Sequence, residues 1–127
     1  MTTIAVVEDN ADNRLLLQAI LDGLYDLVEY ENGIDALAGL TAQLPDLVLL
    51  DISLPGMDGN EILARIRADG KLRRLPVIAL TAHAMAGDRE KYLAAGFNDY
   101  ITKPIVDETI LMGAIEKWLG ASQRGEL

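Results

Sequence analysis

An α/β fold with one doubly wound parallel sheet is the architecture this sequence predicts, and two observations predict it. Short β-branched or leucine-rich runs alternate with longer amphipathic stretches, which is the pattern of repeated βα units. Several apolar runs also end in chemically active residues: Ile4 to Val7 in Glu8-Asp9, Leu47 to Leu50 in Asp51, and two later runs in Thr81 and Lys103. In an open parallel sheet the carboxyl ends of the strands share one edge, so residues distant in sequence converge there.

The elements follow in order. A first strand covers about Thr3 to Glu8, and Asp12 to Gly23 is a helix whose Leu15, Leu16, Ala19, Ile20 and Leu24 recur at helical spacing as an inward stripe. Leu27 to Tyr30 is a weak second strand, Asn32-Gly33 a turn, and Ile34 to Gln43 a helix ended by Pro45. Leu47 to Leu50 lacks polar alternation, which places it centrally, covered on both faces. Leu54-Pro55-Gly56-Met57-Asp58-Gly59 is a loop by its Pro and Gly content, and Asn60 is positioned to cap the helix carrying Ile62, Leu63 and Ile66. Pro76 to Leu80 is the fourth strand, Met85 to Ala95 the fourth helix, Asp99 to Thr102 the fifth strand and Asp107 to Leu119 the fifth helix. The expected organisation is a single domain over 1–120 with a short polar tail over 121–127.

Composition narrows the function. The length of 127 residues suits one domain, and a 50% hydrophobic share suffices for a core. Twenty acidic against 11 basic residues give a formal charge of −9, which opposes attraction to nucleic-acid backbones or anionic membranes. No direct nucleic-acid binding is expected. With no cysteine there are no disulfides, thiolate metal sites or Cys nucleophile. No apolar run approaches the ~20 residues of a membrane span, and Met1-Thr2-Thr3 lacks the basic start of a secretory signal. A soluble, cytoplasmic protein without membrane insertion is the expectation.

Three carboxylates, a hydroxyl and an ammonium at one sheet edge suit a divalent cation together with a phosphoryl group. Asp51 is the candidate nucleophile, forming an aspartyl phosphate once its charge is masked. Asp9 and Asp51 would hold Mg²⁺, Glu8 would help through water, and the backbone carbonyl of Ser53 would fill another position. Because phosphoryl transfer has a loose transition state, a fixed Lys103 and the Thr81 hydroxyl suffice as partners without a general base. The chain has no G-x-x-x-x-G-K-[ST] loop to hold ATP, so the donor is another phosphorylated group.

Four segments carry a family resemblance: Val6-Val7-Glu8-Asp9-Asn10, Leu49 to Gly59 around Asp51, Ala79-Leu80-Thr81-Ala82, and Tyr100-Ile101-Thr102-Lys103-Pro104. In this order the chain resembles the receiver domains of two-component response regulators, both stand-alone regulators and receivers fused to hybrid kinases. The resemblance implies a flavodoxin-like sheet of five parallel strands in the order 2-1-3-4-5 with five helices. It implies that Asp51 accepts phosphate from the phosphohistidine of a sensor histidine kinase or a histidine phosphotransfer protein, with Mg²⁺ or Mn²⁺ at Glu8, Asp9 and Asp51. Thr81 and Tyr100 would then be switch residues, Lys103 would contact the acyl phosphate, and Lys103-Pro104 would be a cis peptide bond. The fourth helix, fifth strand and fifth helix would form the face met by a downstream protein. Ser53, Ala82 and His83 occupy positions that modulate loss of the phosphoryl group, and Glu8 stands where many relatives have Asp.

Plainer roles compete residue by residue. Glu8 and Asp9 could be solvated acids favoured by a helix dipole, and Tyr100 a half-buried strand aromatic. His83, the sole histidine, reads as a modulator rather than a phosphate carrier or ligand. Trp118 and Leu119 read as the core-facing end of the last helix, and Met85 and Leu93 are open between core and surface. At the level of function the switch or relay competes with a phosphorylation-independent adaptor, which the intact five-residue set opposes. It also competes with an aspartyl-phosphate hydrolase, whose second Asp is replaced by Ser53. A flavodoxin-like electron carrier would find its flavin phosphate repelled by Glu8-Asp9-Asn10. The chain is not expected to be an enzyme beyond its own phosphorylation and dephosphorylation. Without an appended module in the sequence, output by protein contact or onward phosphate transfer is expected.

Overall fold

In a computed structural model, which describes residues 2–82, 88–103, 105 and 107–125, the alternation resolves into ten elements. They are β1 (Thr3–Val7), α1 (Ala11–Leu21), β2 (Asp26–Tyr30), α2 (Gly33–Ala42), β3 (Leu47–Asp51), α3 (Gly59–Ala68), β4 (Val77–Thr81), α4 (Asp88–Ala95), β5 (Asp99–Thr102) and α5 (Glu108–Gln123). The five strands form one sheet in the order β2-β1-β3-β4-β5, and every pairing is parallel. The expected order and central position of β3 both hold: all five of its residues are buried. β2 lies at the edge, paired with β1 alone, and none of its residues is fully buried.

The period-2 geometry of strands divides the core into two clusters. Ile4, Val6, Leu47, Leu49, Ile78, Leu80 and Ile101 pack with Leu17, Ile20 and Leu21 of α1 and Leu111, Ile115 and Leu119 of α5. Ala5, Val7, Val48, Leu50, Val77 and Ala79 pack on the other face with residues of α2 and α3 and with Tyr92 of α4. A layer of helices therefore covers each face of the sheet, the arrangement that a parallel sheet requires.

Several local expectations change. The buried stripe of α1 is Leu17, Ile20 and Leu21, whereas Leu15, Leu16 and Leu24 are exposed hydrophobics and Ala19 is exposed. Three successive leucines at 15–17 admit more than one helical phase, and only packing on the sheet selects one. α1 ends at Leu21 because Gly23 takes a left-handed φ of 79°. Asp58, not Asn60, caps α3: its carboxylate accepts the backbone N–H of Glu61. Asn32 is likewise a cap, accepting the N–H of Asp35 so that Gly33 starts α2. α5 runs through Gly120 to Gln123, with Ala121 buried, so the first residues assigned to the tail are helical. The start expected for α4 at Met85 lies outside the described residues. No described helix is long and apolar enough to cross a membrane.

Candidate functional site

Register brings the chemically active residues to one edge. Val7 pairs with Leu50, Asp51 with Leu80, and Thr81 with Thr102. Glu8, Asp51, Thr81 and Lys103 thus stand at or one step beyond the carboxyl ends of β1, β3, β4 and β5. Glu8 (0% exposed), Asp51 and Thr81 (2% each) are the buried polar residues there, and Asp9 is exposed.

The cluster is held by directed contacts. Lys103 Nζ lies 3.1 Å from Asp51 Oδ2 and 3.3 Å from Glu8 Oε2. Asp51 Oδ1 accepts the N–H of Ser53 at 3.0 Å. Glu8 Oε1 accepts the N–H of Asn10 and the side-chain amide of Asn13, while Arg14 donates to the Glu8 carbonyl at 2.8 Å. One carboxylate oxygen from each of Glu8, Asp9 and Asp51 can lie within 4.8 Å of the others, a donor set suited to a hard divalent cation.

The charges act on one another. Burial first, then the Asp51 charge, raise the Glu8 carboxyl above its usual range, against the lowering effects of Lys103, Asn13 and the Asn10 N–H. Burial alone would lower the Lys103 ammonium, but the charges and hydrogen bonds of Asp51 and Glu8 outweigh it and hold it above its ordinary value. Two buried acids around one cation leave an excess of negative charge. A bound cation would neutralise that excess.

Gly59 decides how closely the loop after Asp51 can return. A Cβ there would lie 2.7 Å from the Asp51 carbonyl oxygen and 2.7 Å from Ile52 Cα. The Gly59 N–H donates to the Ile52 carbonyl at 2.9 Å, so the start of α3 is fastened to the end of β3.

On the other side, Thr81 Oγ1 lies 3.2 Å from the Tyr92 hydroxyl. The Tyr92 ring packs 5.8 Å from that of Tyr100 and, edge-on, 5.9 Å from that of Phe97. Tyr100 is half-buried and Ala82 exposed. Trp118 is partly buried against the core and Leu119 is 8% exposed; Leu93 is exposed at 39%. His83 and Met85 lie outside the described residues, as does Pro104 and with it the expected cis bond. Asn13 and Tyr92 escaped sequence reasoning. Asn13 had a weak signal, a polar residue in the first turn of the helix that follows Glu8. Tyr92 had none, because its role depends on how α4 lies on the sheet.

Comparison with known proteins gives a consistent neighbourhood. The family model described as response regulator receiver domain matches residues 4–116. The chain is 39% identical over 125 residues to sensor protein GacS of Pseudomonas syringae pv. syringae, covering 95% of this chain but only 14% of that protein's length. It is 39% identical over 104 residues to the polar-differentiation response regulator DivK of Brucella anthropi, covering 81% of this chain and 85% of DivK. Among solved structures, the receiver domain of sensor histidine kinase PA1611 from Pseudomonas aeruginosa superposes with a TM-score of 0.84 at 40% identity, covering 94% of this chain and 98% of that one. That structure has a magnesium ion coordinated in its active site cleft.

Proposed function

From the premise that this chain belongs to the response regulator receiver domain family, we propose that it is a phosphorylation-dependent switch or relay in which Asp51 accepts a phosphoryl group from a histidine kinase or phosphotransfer protein. The observation that carries the reading is the joint placement of a buried Asp51, the Lys103 ammonium at 3.1 Å, and the carboxylates of Glu8 and Asp9. Isolated, each residue has a plainer explanation; together they read as an acceptor with one counter-charge, Lys103, and the carboxylate donors of a cation site.

Glu8, Asp9, Asp51 and the Ser53 backbone carbonyl would hold Mg²⁺ or Mn²⁺, since the clustered carboxylate oxygens suit a hard cation. When bound, the cation supplies charge neutralisation at those oxygens and at the incoming phosphoryl group. An Asp51 carboxylate oxygen attacks phosphorus as the N–P bond of the donor breaks. The imidazole leaves with that electron pair and takes up a proton. Lys103, already beside Asp51 and Glu8 and kept charged by them, stabilises charge on the transferred oxygens. Thr81 contributes its hydroxyl, and Tyr100 responds on the α4-β5-α5 face, where a downstream protein docks. Ser53, Ala82 and His83 tune how quickly water cleaves the acyl phosphate. The setting is cytoplasmic.

The test is intact mass after incubation with acetyl phosphate and Mg²⁺. The native chain should gain one phosphoryl group, while Asp51→Asn, or native chain in EDTA, should gain none. Labelling on another residue would overturn the assignment, no gain would favour a constitutive adaptor, and many turnovers on phosphate esters would favour a hydrolase.

A further inference from the structure

The hydroxyl of Thr81 has an alternative partner on α4. Thr81 and Tyr92 are both buried, at 2% and 6% exposure, and their hydroxyls lie 3.2 Å apart. The backbone at Thr81 is fixed: its carbonyl accepts the N–H of Lys103 at 2.7 Å. The direction of the Thr81 hydroxyl is therefore set mainly by χ1, which in a β-branched residue has few wells.

A threonine hydroxyl has one hydrogen to donate. Either hydroxyl can donate across this pair; with Thr81 as the donor, giving that hydrogen to a phosphoryl oxygen at Asp51 withdraws it from Tyr92, and the Tyr92 hydroxyl is then left buried without that contact. Such a group is costly until its surroundings adjust. The Tyr92 ring is packed between those of Phe97 and Tyr100, so an adjustment there displaces α4 and the β5 aromatic together.

Resting on the receiver reading of Asp51, we propose that Tyr92 is a positioning residue: it holds the Thr81 hydroxyl in the unphosphorylated protein and couples α4 to occupancy of Asp51. Tyr92 thereby opposes activation, and removing its hydroxyl shifts the balance toward the phosphorylated arrangement.

The experiment titrates native chain, Tyr92→Phe, Thr81→Ala and the double variant with beryllofluoride in saturating Mg²⁺. Beryllofluoride mimics an acyl phosphate, and ¹⁹F NMR reads its bound fraction. Thermal midpoints are measured alongside. Tyr92→Phe should bind about 3- to 10-fold more tightly than native, the scale of one neutral hydrogen bond, and the gain should vanish in the Thr81→Ala background. Unchanged or weaker binding by Tyr92→Phe, or a gain that persists without the Thr81 hydroxyl, overturns the proposal whatever the thermal midpoint does. If the native chain binds and Asp51→Asn does not, such a failure belongs to Tyr92 alone. If the native chain fails to bind, the receiver reading and this inference fall together.

Discussion

The Lys103 ammonium lies 3.1 Å from Asp51 Oδ2, and in the same position it reaches Glu8 Oε2 at 3.3 Å. One cation thus spans the ends of β1, β3 and β5. It relieves repulsion between two buried acids while remaining close to the oxygen proposed to attack phosphorus.

Lys103→Met should separate these two effects. Without the ammonium the acids present more negative charge, so divalent-cation affinity rises several-fold by calorimetry. Acetyl phosphate labelling should nevertheless slow by on the order of 100-fold, as expected for loss of a group that stabilises transferred charge. Slower labelling accompanied by weaker cation binding would contradict this division.

Gly59→Ala should disturb Asp51 without touching its carboxylate. The added Cβ meets the backbone of Asp51 and Ile52 at 2.7 Å, and backbone cannot swing aside as a flexible side-chain end can. A cost of about 1–3 kcal/mol is expected, seen as a lower thermal midpoint by roughly 3–5 °C for each kcal/mol in a chain of 127 residues. Phosphoryl uptake should slow as well, because the loop is displaced. A variant with native stability would show that the loop yields freely.

Arg67 fastens three segments at the opposite end of the sheet. Its Nε and Nη2 donate to the Gly96 carbonyl, Nη1 to the carbonyls of Leu75 and Arg73, and Nη2 also to Asn98 Oδ1. Asn98 Oδ1 in turn accepts the N–H of Val77, where β4 begins. Burial lowers the guanidinium from its usual value. A lysine ammonium cannot reproduce the planar fork, so Arg67→Lys should cost about 2–4 kcal/mol through unpaired carbonyls. Urea midpoints measure it, and a loss below about 0.5 kcal/mol would contradict the network's importance.

Asp107 predicts a pH dependence away from the acidic site. Hydrogen bonds from the Thr109 hydroxyl and N–H hold its carboxyl below the usual range. Because the folded value is depressed, its contribution is complete above the ordinary aspartate range and disappears as pH falls through the folded value. The thermal-midpoint advantage of native over Asp107→Ala should therefore be larger near pH 6 than near pH 3. An advantage that grew on acidification would reverse the sign.

Legibility in the sequence varied with the range of the interaction. Leu47 to Leu50 announced a central strand because burial on both faces removes polar alternation. Asp51 and Lys103 were legible because each follows an apolar run, and in a parallel sheet such positions share an edge. The phase of α1 was not legible: Leu15-Leu16-Leu17 satisfies several helical stripes, and the sheet surface buries Leu17 while leaving Leu15 60% exposed. The cap of α3 moved from Asn60 to Asp58 for a similar reason, since both residue types accept an N–H and the return of Gly59 onto Ile52 chooses between them.

Local pattern alone thus determined the alternation of strands and helices, the edge at which the acids gather, and the candidate acceptor Asp51. Each depends on periodicity or on a residue's place at the end of a run. Tertiary structure decided that Lys103 bridges Asp51 and Glu8, that Asn13 steadies Glu8, and that Tyr92 meets Thr81. Those contacts join separate elements, and their distances depend on sheet register and on how the helices settle, which a one-dimensional pattern does not encode.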